Sequence, residues 1–472
     1  MKSVQVAPDR WNFITSDGQF ISPIGGNILN DEHPAQGTLF RHFDAGDVER
    51  RLAVMAELGL NCLRQAIGVN EVFDPDRGEL RLQGLKNWDR FIQLAERYGV
   101  YLMPVGGYLR SNDWFDVQQL ADSGRALDES CRFWERFVGH FAGHPAIWAW
   151  DLRNELLYDS QPHMTIADMA AEKNRIEAML GDGWPAWLEA KFVTVDQMNR
   201  VYQSSHASFG DVPSFVRFVE KPYDLCAADF RHYLNDRGHA WCQRQCEVIR
   251  AVSPNHMICS GNNTWLSPDQ DPWLANGFHN RAVHELFDFV THHPYPAVQA
   301  IPGKRGDPLD GGAPLRYWLN SCIAMSRLEH FGKPVVIQEF GWYGGGPSKF
   351  LCDLPHRSEE EHADYMRLLI DALRPHSNGF INWPLMDMPA SVDISNHGGI
   401  FTHDGKPKAL AKVYRELTQQ VQGVRQVRKP ADRTIAASLL ALFTTRAATD
   451  RFFDQCHEQL EAGHTPDVRF IA

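Results

Sequence analysis

Two short apolar runs in this chain each end in a glutamate. WDLRNELL, residues 150–157, carries Asn154 and Glu155 at its end, and VVIQEFGW, residues 335–342, carries Glu339 before Phe-Gly-Trp. Apolar runs of this length read as buried strands, so both carboxyl groups fall at the C-terminal edges of strands. Two carboxyls facing one another suit glycosidic bond cleavage: one, protonated, releases the leaving oxygen, and the other, ionised, attacks the anomeric carbon. Neither run decides the matter alone. Asn-Glu recurs at Asn70-Glu71, and an isolated exposed glutamate is ordinarily just a solvated side chain.

The elements that must bring the two together are legible as an alternation. Strands are predicted at Pro23–Asn27, Asn61–Ala66, Val100–Val105, Ala146–Leu152, His256–Ser260, Phe287–His292, Pro334–Gln338 and Gly379–Trp383. Amphipathic helices are predicted near Asp47–Leu58, Leu85–Tyr98, Ala126–Phe141, Phe230–Val252, Leu315–Phe331, Glu359–Leu373 and Leu410–Gln420. The crossover near Asp271–Asn280 is the least distinct. In ELGLNCLR, RYGVYLMPV and HFGKPVVIQEF a glycine separates helix from strand, as helix C-caps in short αβ loops require. A doubly wound sheet shares this alternation. The count of eight and the clustering of polar residues after the strands favour a (β/α)8 TIM barrel, whose active sites sit at that end. The barrel is expected over residues 1–422, with a large insertion at about 156–229 over the active-site face and a C-terminal helical extension, 423–472, built on Thr434–Gly463.

Bulk properties narrow the ligand. The chain has 472 residues, a net charge of −12 and 22% charged residues. The acidic balance and the lack of a basic cluster exclude a nucleic-acid footprint. The nine cysteines have no metal-like or disulfide-framework spacing, so free thiols are expected, including Cys242 and Cys246 on one helix face and Cys62 and Cys259 in strands. The amino-terminal MKSVQVAPDRWNF has no apolar core of a signal peptide, and Ile435–Phe443 is too short to span a bilayer. A cytoplasmic location with no membrane partner is therefore expected, and the oligomeric state is left open.

Over roughly residues 12–420 the chain resembles clan A glycoside hydrolases, and most closely glycoside hydrolase family 5. The resemblance implies that Asn154 binds the sugar 2-hydroxyl, that Glu155 is the acid/base and that Glu339 is the nucleophile. It matches Arg64, in NCLRQA, to an arginine that steadies the nucleophile, and His293 and Tyr295, in THHPYP, to the family's His-x-Tyr. Trp383, in FINWPL, matches the tryptophan that floors the subsite nearest the catalytic pair. Taken singly, Arg64 reads rather as an ion-pair partner, His293 as a satisfied rim histidine and Trp383 as a core ring; their joint appearance in barrel order is the specific signal. One departure is YLMPVGGY on strand 3, where Gly106 and Gly107 replace the histidine common in that family. Another is WLEAKFVTVDQMNRVYQSSHASFGDV, residues 187–212, which looks like a segment of family 42 β-galactosidases.

The expected activity is that of a retaining β-glycosidase acting on β-linked mannosides, glucosides or galactosides, with a carbohydrate as its partner and neither cofactor nor metal. Retention requires the carboxyls to lie about 5–5.5 Å apart. Trp114, Trp265, Trp342 and Tyr343, in predicted loops at the catalytic end, are candidates for stacking on sugar faces. Two other classes compete. One is a catalytically silent carbohydrate-binding barrel; the other is a metal-dependent barrel hydrolase, prompted by His292 and His293 with Asp288.

Overall fold

The structure is a computed structural model of the whole chain, and it describes residues 1–28, 40, 42–107, 124–155, 183–213, 224–261, 283–295, 311–328, 332–341, 358–389 and 394–471. Eight strands form one sheet: β1 (Ile24–Ile28), β2 (Cys62–Ala66), β3 (Tyr101–Val105), β4 (Ala149–Asp151), β5 (Met257–Cys259), β6 (Val290–His292), β7 (Val335–Ile337) and β8 (Phe380–Asn382). All neighbours pair in parallel, and β8 returns to pair with β1. Between β5 and β6 the ring is joined by one backbone bond, from Asp288 N–H to the Ile258 carbonyl at 2.9 Å. This is the (β/α)8 barrel that the alternation predicts, with every expected strand placed within a few residues. Apart from β1, shifted by one residue at equal length, the observed strands are shorter than expected.

Helices α1 (Ala45–Leu58), α2 (Leu82–Tyr98) and α3 (Arg125–His140) surround the first half of the barrel. Asp44 caps α1 by accepting from the Gly46 N–H at 2.7 Å. The glycines read as helix stops, Gly59, Gly99 and Gly332, all have positive φ, a conformation open to a residue without Cβ. The α4 (Gly183–Phe192) and α5 (Val195–Tyr202) helices are the described part of the insertion. They are fixed to α6 (Leu225–Val252): Asp229 accepts from the Tyr202 hydroxyl at 2.5 Å and pairs with Lys191, while Trp187 donates to Asp236 at 2.8 Å. Helices α7 (Gly312–Leu328), α8 (Glu359–Leu373) and α9 (Ala409–Val421) complete the outer layer. The indistinct crossover near Asp271–Asn280 lies outside the described residues.

The floor of the barrel is apolar. A three-stranded antiparallel sheet, Val4–Val6, Phe13–Thr15 and Phe20–Ile21, covers it. Phe13 is fully buried there, edge-on to Trp148 at 5.0 Å and to Phe289 at 5.4 Å between ring centroids. This amino-terminal cover is clasped from behind. Asn12 donates to the Gln426 carbonyl at 3.0 Å and accepts from the Gln426 N–H at 2.9 Å, and Asn378 donates to the Trp11 carbonyl at 3.0 Å.

The carboxy-terminal extension holds the expected helices, α10 (Leu439–Thr444) and α11 (Arg446–Glu461), and also two parallel strands, β9 (Arg433–Ser438) and β10 (Pro466–Ile471). The alanines of β9 hid it, since alanine reads as helical by propensity although Ile435 and Ala437 alternate inward. Ile435, Leu442, Phe452 and Phe453 pack against Tyr317 and Met325 of α7. All eight cysteines among the described residues are free and buried.

Candidate active site

Four strand ends supply the centre of the mouth. Arg64, from β2, is fully buried, and its guanidinium contacts four side chains. Nε donates to Asp151 Oδ2 at 2.8 Å, and Nη1 to Asn27 Oδ1 at 3.0 Å. Nη2 donates to Asn154 Oδ1 at 2.8 Å, and Nη1 also pairs with Glu339 Oε1. A buried guanidinium is tolerated only when its donors are matched in this way, and its planar fork suits several acceptors at once.

Glu339 follows β7. Its other oxygen accepts from the Tyr295 hydroxyl at 3.1 Å and lies 3.6 Å from His293 Nδ1. Burial pushes its carboxyl above the usual range, and the Arg64 guanidinium beside it opposes that shift. Glu155 follows β4, and its Oε1 lies 3.0 Å from His293 Nδ1. One oxygen of each carboxyl and a ring nitrogen of His293 all lie within 4.8 Å of one another. The backbone at Glu155 has φ +43°, a left-handed conformation that a non-glycine residue holds at a cost of about 1–3 kcal/mol. Gly261 helps to hold it: a Cβ there would stand 3.2 Å from the Glu155 nitrogen and 2.8 Å from Arg64 Nη2.

His293 is fully buried, and desolvation pulls its ring down to about 4, so it is neutral at neutral pH. Its Nε2 lies 3.2 Å from Gln338 Oε1. Trp383 is nearly buried at the end of β8, with its indole N–H donated to Ser395 Oγ at 2.9 Å.

The structure therefore brings Arg64, Asn154, Glu155, His293, Tyr295 and Glu339 into one connected cluster, with Trp383 on the neighbouring strand end. Trp114, Trp265, Trp342 and Tyr343 lie outside the described residues. Sequence reasoning missed Asn27, Asp151 and Gln338, each a polar residue at the end of an otherwise apolar strand; that position was the available signal. The Gly106 departure has a steric cause. A Cβ there would sit 2.5 Å from both the Leu152 carbonyl oxygen and Trp134 Cζ2, so no side chain fits at position 106, whereas a Cβ at Gly107 would meet only Val69 Cγ2 at 3.5 Å.

The described residues nearest a metal-like grouping are Glu155, His293 and Glu339, which offer three donor atoms. The fit is poor, because the Arg64 guanidinium already pairs with Glu339. His292 and Asp288 do not join the grouping.

A family model for glycoside hydrolase family 42, described as beta-galactosidase, matches residues 123–340, a stretch that contains both glutamates. No curated protein matches. Among solved structures, an exo-β-1,4-mannosidase from Opitutaceae bacterium strain TAV5 superposes with a TM-score of 0.63 at 17% identity, covering 99% of this chain and 72% of its own. A β-galactosidase from Rahnella sp. R3 gives 0.69 at 15% identity, over 95% of this chain and 64% of its own. A family 5 subfamily 18 protein from Streptomyces cattleya, in complex with Manβ1-4GlcNAc, gives 0.62 at 14% identity, over 95% of this chain and 94% of its own.

The fold is a (β/α)8 barrel, and the chain is similar to clan A glycoside hydrolases. Its sequence match lies with family 42 and its structural likeness with both family 5 and family 42.

Proposed function

We propose that the protein is a retaining β-glycosidase in which Glu155 is the general acid/base and Glu339 the nucleophile. The observation that carries this reading is the approach of the two carboxyls to within 4.8 Å, through atoms that also meet His293. Retaining enzymes hold the pair at about 5–5.5 Å, and inverting enzymes leave about 6.5–9.5 Å for a water. In the first step a Glu339 oxygen forms a bond to the anomeric carbon while the glycosidic C–O bond breaks, and the Glu155 proton passes to the departing oxygen. In the second step Glu155 takes a proton from water, whose oxygen displaces Glu339.

The remaining residues have roles in this cycle. Arg64 and the Tyr295 hydroxyl point donors at Glu339, favouring the ionised form that attacks against the burial that raises it. In this reading Asn154, which accepts from Arg64, binds the sugar 2-hydroxyl, and Trp383 faces the ring in the innermost subsite. A β-linked hexoside is the substrate class, and the mannosidase and galactosidase neighbours put β-mannosides and β-galactosides first for trial.

The test is hydrolysis of a panel of aryl β-mannosides, β-galactosides and β-glucosides, with the first-formed anomer read by NMR. Retention with turnover lost in Glu339→Gln is expected. An inverted product rules out the double displacement, and turnover unchanged in that variant returns the protein to the silent-barrel reading. Activity abolished by a chelator but indifferent to Glu155→Ala would instead mark a metal-dependent hydrolase.

A further inference from the structure

Gln338 immediately precedes the nucleophile and is fully buried beneath it. Its amide has one orientation compatible with its surroundings. Asp151 Oδ2 lies 2.9 Å from Nε2 and also accepts from Arg64 Nε, while Asp151 Oδ1 accepts from the backbone N–H groups of Arg153 at 3.2 Å and Gly261 at 3.0 Å. An oxygen so committed to N–H donors needs the amide nitrogen facing it, not the amide oxygen. Gln338 Oε1 is thereby turned to His293 Nε2 at 3.2 Å. An amide oxygen only accepts, so the ring must carry its hydrogen on Nε2. In a neutral imidazole the other nitrogen is then an acceptor. That nitrogen, Nδ1, faces Glu155 Oε1 at 3.0 Å.

We propose that Gln338 is a positioning residue for proton transfer: anchored by Asp151, it fixes His293 as the Nε2–H tautomer, so that the Nδ1 lone pair holds the proton of Glu155. The proposal rests on the reading of Glu155 as acid/base and adds to it the device that keeps the acid charged with its proton. Before bond cleavage the Glu155 O–H donates to Nδ1. Once that proton has passed to the leaving oxygen, the carboxylate faces a lone pair, and this contact favours taking a proton back from water in the second step. The opposite tautomer would donate to Glu155 and favour its ionised form, which cannot protonate a leaving group. Among the described residues, the charged and titratable groups around the ring include Glu155 and Asp151 from the β4 end, Glu339 from β7, Arg64 from β2, His292 from β6 and Tyr295 from the segment after it.

Two measurements test this. In wild-type protein labelled with 15N-histidine, the His293 signal, assigned by its absence from His293→Asn, is expected to show a protonated Nε2 and an unprotonated Nδ1 at neutral pH. The reverse pattern overturns the proposal whether or not any glycoside is hydrolysed. In Gln338→Met, of similar volume but without the acceptor, the basic limb of the kcat/KM profile is expected to move about one pH unit towards acid. The loss should be at least about tenfold for an alkyl glycoside, which needs protonation, and small for a dinitrophenyl glycoside, which does not. An unmoved limb with equal losses on both substrates marks Gln338 as merely structural and overturns the proposal. If Gln338→Met fails to fold, the wild-type tautomer decides alone. If wild-type protein hydrolyses nothing in the panel while Nε2 is protonated, the glycosidase reading falls and the hydrogen-bond chain stands.

Discussion

The two ends of the same eight strands obey opposite rules. At the floor, Phe13, Tyr101, Trp148 and Phe289 fill the barrel with aromatic rings and no charge. At the mouth, Arg64, Asp151, Glu155 and Glu339 are buried almost as deeply, and the left-handed backbone of Glu155 adds strain. Met103 and Cys259 mark the border, with their sulfurs at 2.9 and 3.6 Å from Gln338 Nε2. The floor is arranged for stability, whereas the mouth holds charges that stability alone would reject.

Substitutions at the two ends should therefore separate activity from stability. Glu339→Gln should lower kcat by at least about 10^4-fold. It should nonetheless raise thermal stability at neutral pH. Because burial raises the folded-state pKa of Glu339, its favourable contribution is present below the unfolded value of about 4.3 and is lost as pH rises through the folded value. Calorimetry at pH 7 and pH 4 should show the variant's advantage shrinking with acid; a variant less stable than wild type at pH 7 would break the contrast. Glu155→Ala should cost about 10^2–10^4-fold on glycosides with poor leaving groups and much less on activated ones, as steady-state kinetics will show. Phe13→Ala should destabilise by about 3–5 kcal/mol in urea unfolding, while kcat/KM of the folded fraction stays within error. Tyr295→Phe should lower kcat about tenfold or less, matching one lost hydrogen bond, with an unchanged unfolding midpoint.

A smaller effect sharpens the contrast through pH. Desolvation lowers His293 to about 4 and His292, His362 and His376 to about 3. A histidine with a depressed folded pKa contributes stability that is present above its unfolded value of about 6.5 and is lost as pH falls towards the folded one. The unfolding temperature should thus decline below about pH 6.5, opposing the Glu339 trend. A flat profile from pH 6.5 to 4 would contradict the burial of these rings.

The barrel was legible because strand runs and helix stripes repeat with distinct periods, and because Gly59, Gly99 and Gly332 punctuate them. Glu155 and Glu339 were legible because charge after an apolar run is rare. Asp151 and Gln338 were not singled out, since each matters only through partners far along the chain: Asp151 meets Arg64, and Gln338 meets His293. The β9 strand was hidden by its alanines, and the Gly106 departure became explicable only when Trp134 and Leu152 were seen to occupy the space.

The clasp behind the floor bears on how the molecule is made. Asn12 leaves the ribosome well before its partner Gln426, which lies 414 positions later. The plug headed by Phe13 can be latched only after nearly the entire ring has been synthesised. Until then the aromatic base of a growing barrel has no locked cover, and its apolar rings stay open to non-native contacts.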